Sequence, residues 1–118
     1  FAQMFRQAIE RWTHGAHDAD YCESWQAFQQ RAPDALNAAF ALAGPKETIA
    51  VVTSGGVISV IAQALLGLDN RATQQINWTL ANAGVSIVRQ TSEGQRLLTS
   101  LNDYGHFRGE QDALLSFR

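Results

Sequence analysis

The stretch that decides the fold is Thr48-Ile49-Ala50-Val51-Val52-Thr53-Ser54-Gly55-Gly56-Val57-Ile58-Ser59-Val60-Ile61-Ala62-Gln63-Ala64-Leu65-Leu66-Gly67-Leu68. Thr48–Thr53 is β-branched or apolar without alternation, the pattern of a central strand covered on both faces. Ser54-Gly55-Gly56 breaks that run, a helical pattern follows from Val57 to Leu66, and Gly67 closes it. A strand that turns into a helix brings unpaired N–H groups and the positive end of the helix dipole to one place, so it can hold an anion without a charged side chain. Two glycines let the backbone approach a ligand closely, and the hydroxyls of Thr53 and Ser54 add donors. The same residues also read as a plain tight turn in which Ser54 caps the helix. No Gly-Lys-Ser/Thr follows, so the turn is not a P-loop, and GxGxxG is absent. A serine-hydrolase elbow would need glycine where Val52 stands.

Working outward toward the N-terminus, Phe1, Met4, Phe5, Ala8, Ile9 and Trp12 recur at helical spacing and predict a helix over residues 1 to 12. A polar loop runs from Thr13 to Glu23. Ser24 is the expected N-cap of a second helix with Trp25, Phe28, Ala32, Leu36, Ala39 and Phe40 on its apolar face, kinked at Pro33 and ended by Gly44-Pro45. Toward the C-terminus, Asn70 is expected to cap a helix reaching about Thr79 that buries Ile76, Trp78 and Leu80. Val85–Arg89 and Arg96–Leu101 predict two strands joined by the turn Thr91-Ser92-Glu93-Gly94. Asn102–Arg118 is poorly patterned. Without repeat, linker or low-complexity tract, residues 1–118 read as one α/β unit in which the later strand pair is expected to flank Thr48–Thr53 on one side and the rest of the sheet is not evident. Phe1 already lies inside a helical pattern, and no Met opens the chain, so an upstream segment is expected.

The bulk numbers exclude several classes. With 118 residues, 46% hydrophobic and 17% charged, the chain has the composition of one ordinary globular domain and not of a disordered segment. A formal charge of -2 and a pI of about 5.8 give no reason to expect nucleic acid or an anionic membrane as partner. Cys22 is alone, which rules out an internal disulfide or a multi-cysteine zinc site and suits a reducing, cytoplasmic setting. The longest apolar run, Val57–Leu68, is interrupted by Ser59 and Gln63 and is far short of the ~20 residues that span a bilayer. No signal-peptide pattern is visible. His14, His17, Asp18 and Asp20 are metal-ligand types, but their spacing fits no zinc helix and they sit in a loop, so no metal is expected. Asp103 and His106 would form a triad with Ser54 only if the fold joined them. Trp12, Trp25 and Trp78 read as core.

Residues 48–68 resemble the second phosphate-binding segment of the histidine phosphatase superfamily, the phosphoglycerate-mutase-like proteins, where a buried strand leads into Ser-His-Gly-Gly and an apolar helix. The resemblance continues in Asn82-Ala83-Gly84-Val85-Ser86-Ile87 and in Leu101-Asn102-Asp103-Tyr104-Gly105-His106-Phe107. It also includes Glu23-Ser24-Trp25 with Phe28 and Arg31 upstream. It implies a three-layer α/β/α sandwich of which residues 1–118 are the C-terminal portion. It further implies phosphoryl transfer through a histidine in an Arg-His-Gly motif. That motif is absent here: His14, His17 and His106 are each followed by other residues, so the resemblance places no catalytic residue in this chain. Ser54 stands where the family has its second histidine, as in a Thr-Ser-Gly-Gly subfamily, which exchanges an imidazole for a neutral hydroxyl. The implied role is a phosphate pocket built from Thr53, Ser54, Gly55 and Gly56, taking phosphate or a phosphorylated small molecule, with no cofactor and no metal. The parent would be a phosphomonoesterase and the chain alone inactive; the alternative is a non-catalytic phospholigand binder. A homodimer covering an open sheet edge is a further expectation.

Overall fold

The computed structural model describes residues 1–117. They fall into two compact units, Phe1–Val52 and the chain from Thr53 onward. In the first unit, α1 spans Ala2–Thr13 and α2 spans Trp25–Leu42, with a short 3-10 turn at Asp18–Asp20 between them. Helical spacing of the apolar residues places Trp12 in an aromatic cluster. Its ring centroid lies 5.1 Å from that of Trp25, edge-on, and 5.5 Å from that of Phe28. Such pairs contribute beyond the area they bury. The Trp12 indole N–H donates to the Glu23 carbonyl at 2.8 Å, which satisfies the ring's one polar group. Ser24 caps α2 as its sequence predicts, its Oγ accepting from the Ala27 N–H at 3.1 Å. Glu23 holds Arg31 in a two-pronged pair at 2.6 and 2.9 Å, and that guanidinium keeps the Glu23 carboxyl below its ordinary range. Pro33 lies inside α2, which continues to Leu42 and ends before Gly44-Pro45. Trp25 and Ala32 are the buried residues of this helix.

Thr48–Thr53 departs from its expectation. Among the described residues it is not a strand, pairs with nothing, and is exposed throughout. Ile49, Val51 and Val52 are 40%, 61% and 99% exposed. β propensity describes fit to a pleated, half-buried surface, and a strand exists only with a ladder partner. No described segment supplies one.

The second unit contains α3 (Gly55–Leu66), α4 (Asn70–Thr79) and an antiparallel pair, β1 (Val85–Gln90) and β2 (Arg96–Asp103). Helix α3 starts two residues earlier than the apolar pattern suggested. It ends at Gly67, whose φ of 67° is the left-handed C-cap expected of glycine. The cap of α4 is Asp69 and not Asn70: Asp69 Oδ1 accepts from the Ala72 N–H at 2.7 Å. The two helices pack together, burying Ser59, Val60, Ala62 and Thr73, while Ile76, Trp78 and Leu80 are half-buried. The hairpin register pairs Val88 with Leu98 and Ile87 with Ser100, then Val85 with Asp103, so β2 twice carries one residue more than β1. The second irregularity contains Asn102 in the left-handed region at φ 59°.

Beyond β2 the chain forms 3-10 turns at Gly105–Phe107 and Asp112–Leu114 and returns to the start of the hairpin. There the Asn82 N–H donates to the Ser116 carbonyl at 2.8 Å, and Asn82 Nδ2 to Ser116 Oγ at 3.0 Å. Tyr104 and Phe117 meet edge-on at 5.8 Å. Helices and a two-stranded sheet make this an α/β chain. Among the described residues no helix is long and apolar enough to cross a membrane.

Candidate functional site

The turn Thr53–Gly56 leads into α3. Thr53 and Ser54 are exposed, and Gly55 and Gly56 are half-buried as the first residues of the helix. Ser54 occupies the N-cap with an extended backbone (φ −88°, ψ 161°), yet its hydroxyl makes no capping bond. The contrast with Ser24 and Asp69 is direct, because both of those spend a side-chain oxygen on an N–H of their helix. At α3 the hydroxyl and the leading N–H groups therefore stay available at the positive end of the helix dipole.

The first turn of α3 is braced from below. Ser59 is buried, and its hydroxyl donates to the Gly55 and Gly56 carbonyls at 3.0 and 2.9 Å. Gly55 sits in a tight packing contact and has no conformational need for glycine. A Cβ there would lie 3.2 Å from Asn77 Oδ1 and 3.3 Å from Leu80 Cδ1. The end of α4 thus lies directly against the turn. Ser59, Asn77 and Leu80 were not singled out for this role from sequence. Ser59, a hydroxyl four residues after Gly55 in a mostly apolar helix, is the one sign visible in the sequence.

The corner after α4 is held by a single side chain. Asn102 Oδ1 accepts from the Ala81 N–H at 2.8 Å and its Nδ2 donates to the Thr79 carbonyl at 2.9 Å. The backbone N–H of Asn102 donates to Ser86 Oγ at 3.0 Å. Gly84 leaves space for this: a Cβ there would sit 2.9 Å from Asn102 Oδ1 and 3.0 Å from the Ala81 carbonyl.

The other candidates are placed elsewhere. Asp103 Oδ1 accepts from the Gly105 N–H at 2.9 Å, and the exposed His106 ring lies 4.3 Å from that of Phe107. No hydrogen bond among the described residues joins either to Ser54. His14 and His17 border an open depression of about 460 Å³ with Gln7, Glu10, Arg11 and Ala16. Asp20 is paired with Arg11, whose other nitrogen donates to the Tyr21 hydroxyl at 2.9 Å, and this lowers the Asp20 carboxyl. No cluster of three metal-ligand side chains occurs among the described residues.

The turn carries donors and no titratable side chain, so it can offer hydrogen bonds to an anion, whereas a nucleophile or a proton donor would have to come from other residues. The family described as histidine phosphatase superfamily (branch 1) matches the sequence over residues 1–103. No curated protein matches the chain. No solved structure matches it.

Proposed function

Because the chain belongs to the histidine phosphatase superfamily, branch 1, we propose that it forms part of a phosphomonoesterase and supplies Thr53, Ser54, Gly55 and Gly56 to the phosphate pocket. In this reading the phosphoryl group passes to a histidine in an Arg-His-Gly motif, which this sequence does not contain. The turn stabilises the non-bridging oxygens through backbone N–H groups and the Ser54 hydroxyl, an electrostatic contribution of the kind that oriented dipoles make without reorganising. The sandwich fold and the Thr-Ser-Gly-Gly subfamily belong to the same proposal, as does a phosphorylated small molecule as ligand.

The observation that carries this reading is the idle N-cap. Ser54 stands at the head of α3 and caps nothing. The test is inhibition by inorganic phosphate, together with turnover of a phosphomonoester panel, in the protein at its full native length. Ser54→Ala is expected to weaken phosphate binding by about ten- to a hundredfold, the loss of one hydrogen bond to an anion. Thermal stability should stay unchanged, because no cap is lost. Turnover that persists after the Arg-His-Gly histidine is replaced would rule the phosphohistidine route out.

A second reading, a non-catalytic phospholigand binder, is favoured by one residue. Ser54 is a neutral hydroxyl where the family resemblance puts an imidazole. A native full-length sequence without Arg-His-Gly would decide for it.

A further inference from the structure

The Ser54–Gly56 turn is positioned from a distance, and we infer that Asn102 is the positioning residue. This rests on the phosphate-site reading above and adds to it the part of the fold that sets the turn's geometry. The Asn102 carboxamide bonds on both sides of Leu80, accepting from the Ala81 N–H and donating to the Thr79 carbonyl. It thereby reproduces, with a side chain, the pair of bonds that a neighbouring strand would make, and it satisfies a carbonyl left over at the end of α4. Leu80, fixed between these two bonds, has its Cδ1 3.3 Å and its Cβ 3.9 Å from the point where a Cβ on Gly55 would sit. The path is short and contiguous: carboxamide, corner, Leu80, Gly55.

Two features make the clamp specific to asparagine. Position 102 has φ 59°, a conformation asparagine adopts more readily than most residues. The carboxamide also offers the acceptor and the donor that the corner needs, with Gly84 leaving room for Oδ1.

The experiment measures the dissociation constant of inorganic phosphate by calorimetry on the full-length protein, at a temperature where circular dichroism shows each variant folded. Asn102→Gly keeps the left-handed backbone and removes both side-chain bonds, while Leu80→Ala leaves the clamp and removes its contact with Gly55. Each is expected to raise the constant about fivefold. The double variant should lose no more than the worse single one, because the two act in series. Thr99→Val, which removes a 3.3 Å bond from Thr99 Oγ1 to the Ile87 carbonyl in the same hairpin, should leave the constant unchanged even where it lowers the melting temperature.

Unchanged binding in Asn102→Gly, or single losses that multiply in the double variant, overturns the inference. Should Asn102→Gly fail to fold, an unchanged constant in Leu80→Ala does the same. Ser54→Asp separates the two levels. Phosphate binding that survives it removes the site and this inference together, whereas binding abolished by it but untouched by Asn102→Gly removes the inference alone.

Discussion

Gly84 and Gly55 are both glycines at close contacts, and they differ in what a methyl group would strike. At position 84 the nearest atoms are Asn102 Oδ1 at 2.9 Å and the backbone carbonyl of Ala81 at 3.0 Å. The backbone cannot give way, and the carboxamide can move only by releasing the corner. At position 55 the neighbours are ends of side chains, at 3.2 and 3.3 Å, which yield by a few tenths of an ångström. Gly84→Ala is therefore expected to destabilise by about 1–3 kcal/mol in chemical denaturation, the usual range for overpacking. Gly55→Ala should cost less than Gly84→Ala despite its nearness to the candidate site. The opposite order would mean that the Asn102 corner is more yielding than its geometry indicates.

At the scale of elements, Ser24 and Asp69 spend a side-chain oxygen on capping their helices and Ser54 does not. Ser24→Ala and Asp69→Ala each remove a side-chain acceptor from an N–H of their helix, and each should cost about 1 kcal/mol. Thermal melts of these two against Ser54→Ala check the distinction drawn at α3. Local signals explain most of what could be read in advance. Ser24 as a cap, Gly67 as a helix end and a strand pair at Val85–Arg89 and Arg96–Leu101, which the structure extends to Gln90 and Asp103, all follow from spacing within a few residues. The cap of α4 was misplaced by one position because Asp69 and Asn70 are adjacent and both suit the role. Asn102 stands in the stretch that resembles the family, but its bonding role is not legible, for a different reason. Its bonds reach 16, 21 and 23 residues back along the chain, and no local pattern encodes such contacts. The residues of the turn itself were legible, as a break between two apolar patterns; what braces them was not.

At the scale of the molecule, the buried apolar residues among those described are few: Trp25, Ala32, Val60, Ala62 and Ala81. Several large apolar side chains lie open, with Val85, Ile87 and Leu97 of the hairpin 50%, 41% and 41% exposed. Thr48–Thr53 adds a run of β-branched residues with unpaired backbone, and such edges template pairing with other chains. The expectation of a buried central strand rested on a continuous apolar run and on a family resemblance, and neither says whether a partner strand is at hand within this chain.

The clasp between Asn82 and Ser116 has a consequence that can be followed in time. The Asn82 amide is not part of a helix or a ladder, and its acceptor is the Ser116 carbonyl, 34 residues further along the chain. Its solvent deuteration is thus slowed only while the tail is docked, so one amide acts as a clock for tail release. Phe117→Ala, which removes the edge-on contact with Tyr104, is expected to speed deuterium uptake at Asn82 by about tenfold or less and to leave the amides inside α3 at their former rate. Mass spectrometry of the exchanging protein reads both at once, and equal acceleration in α3 would mean that the tail opens only when the whole unit does.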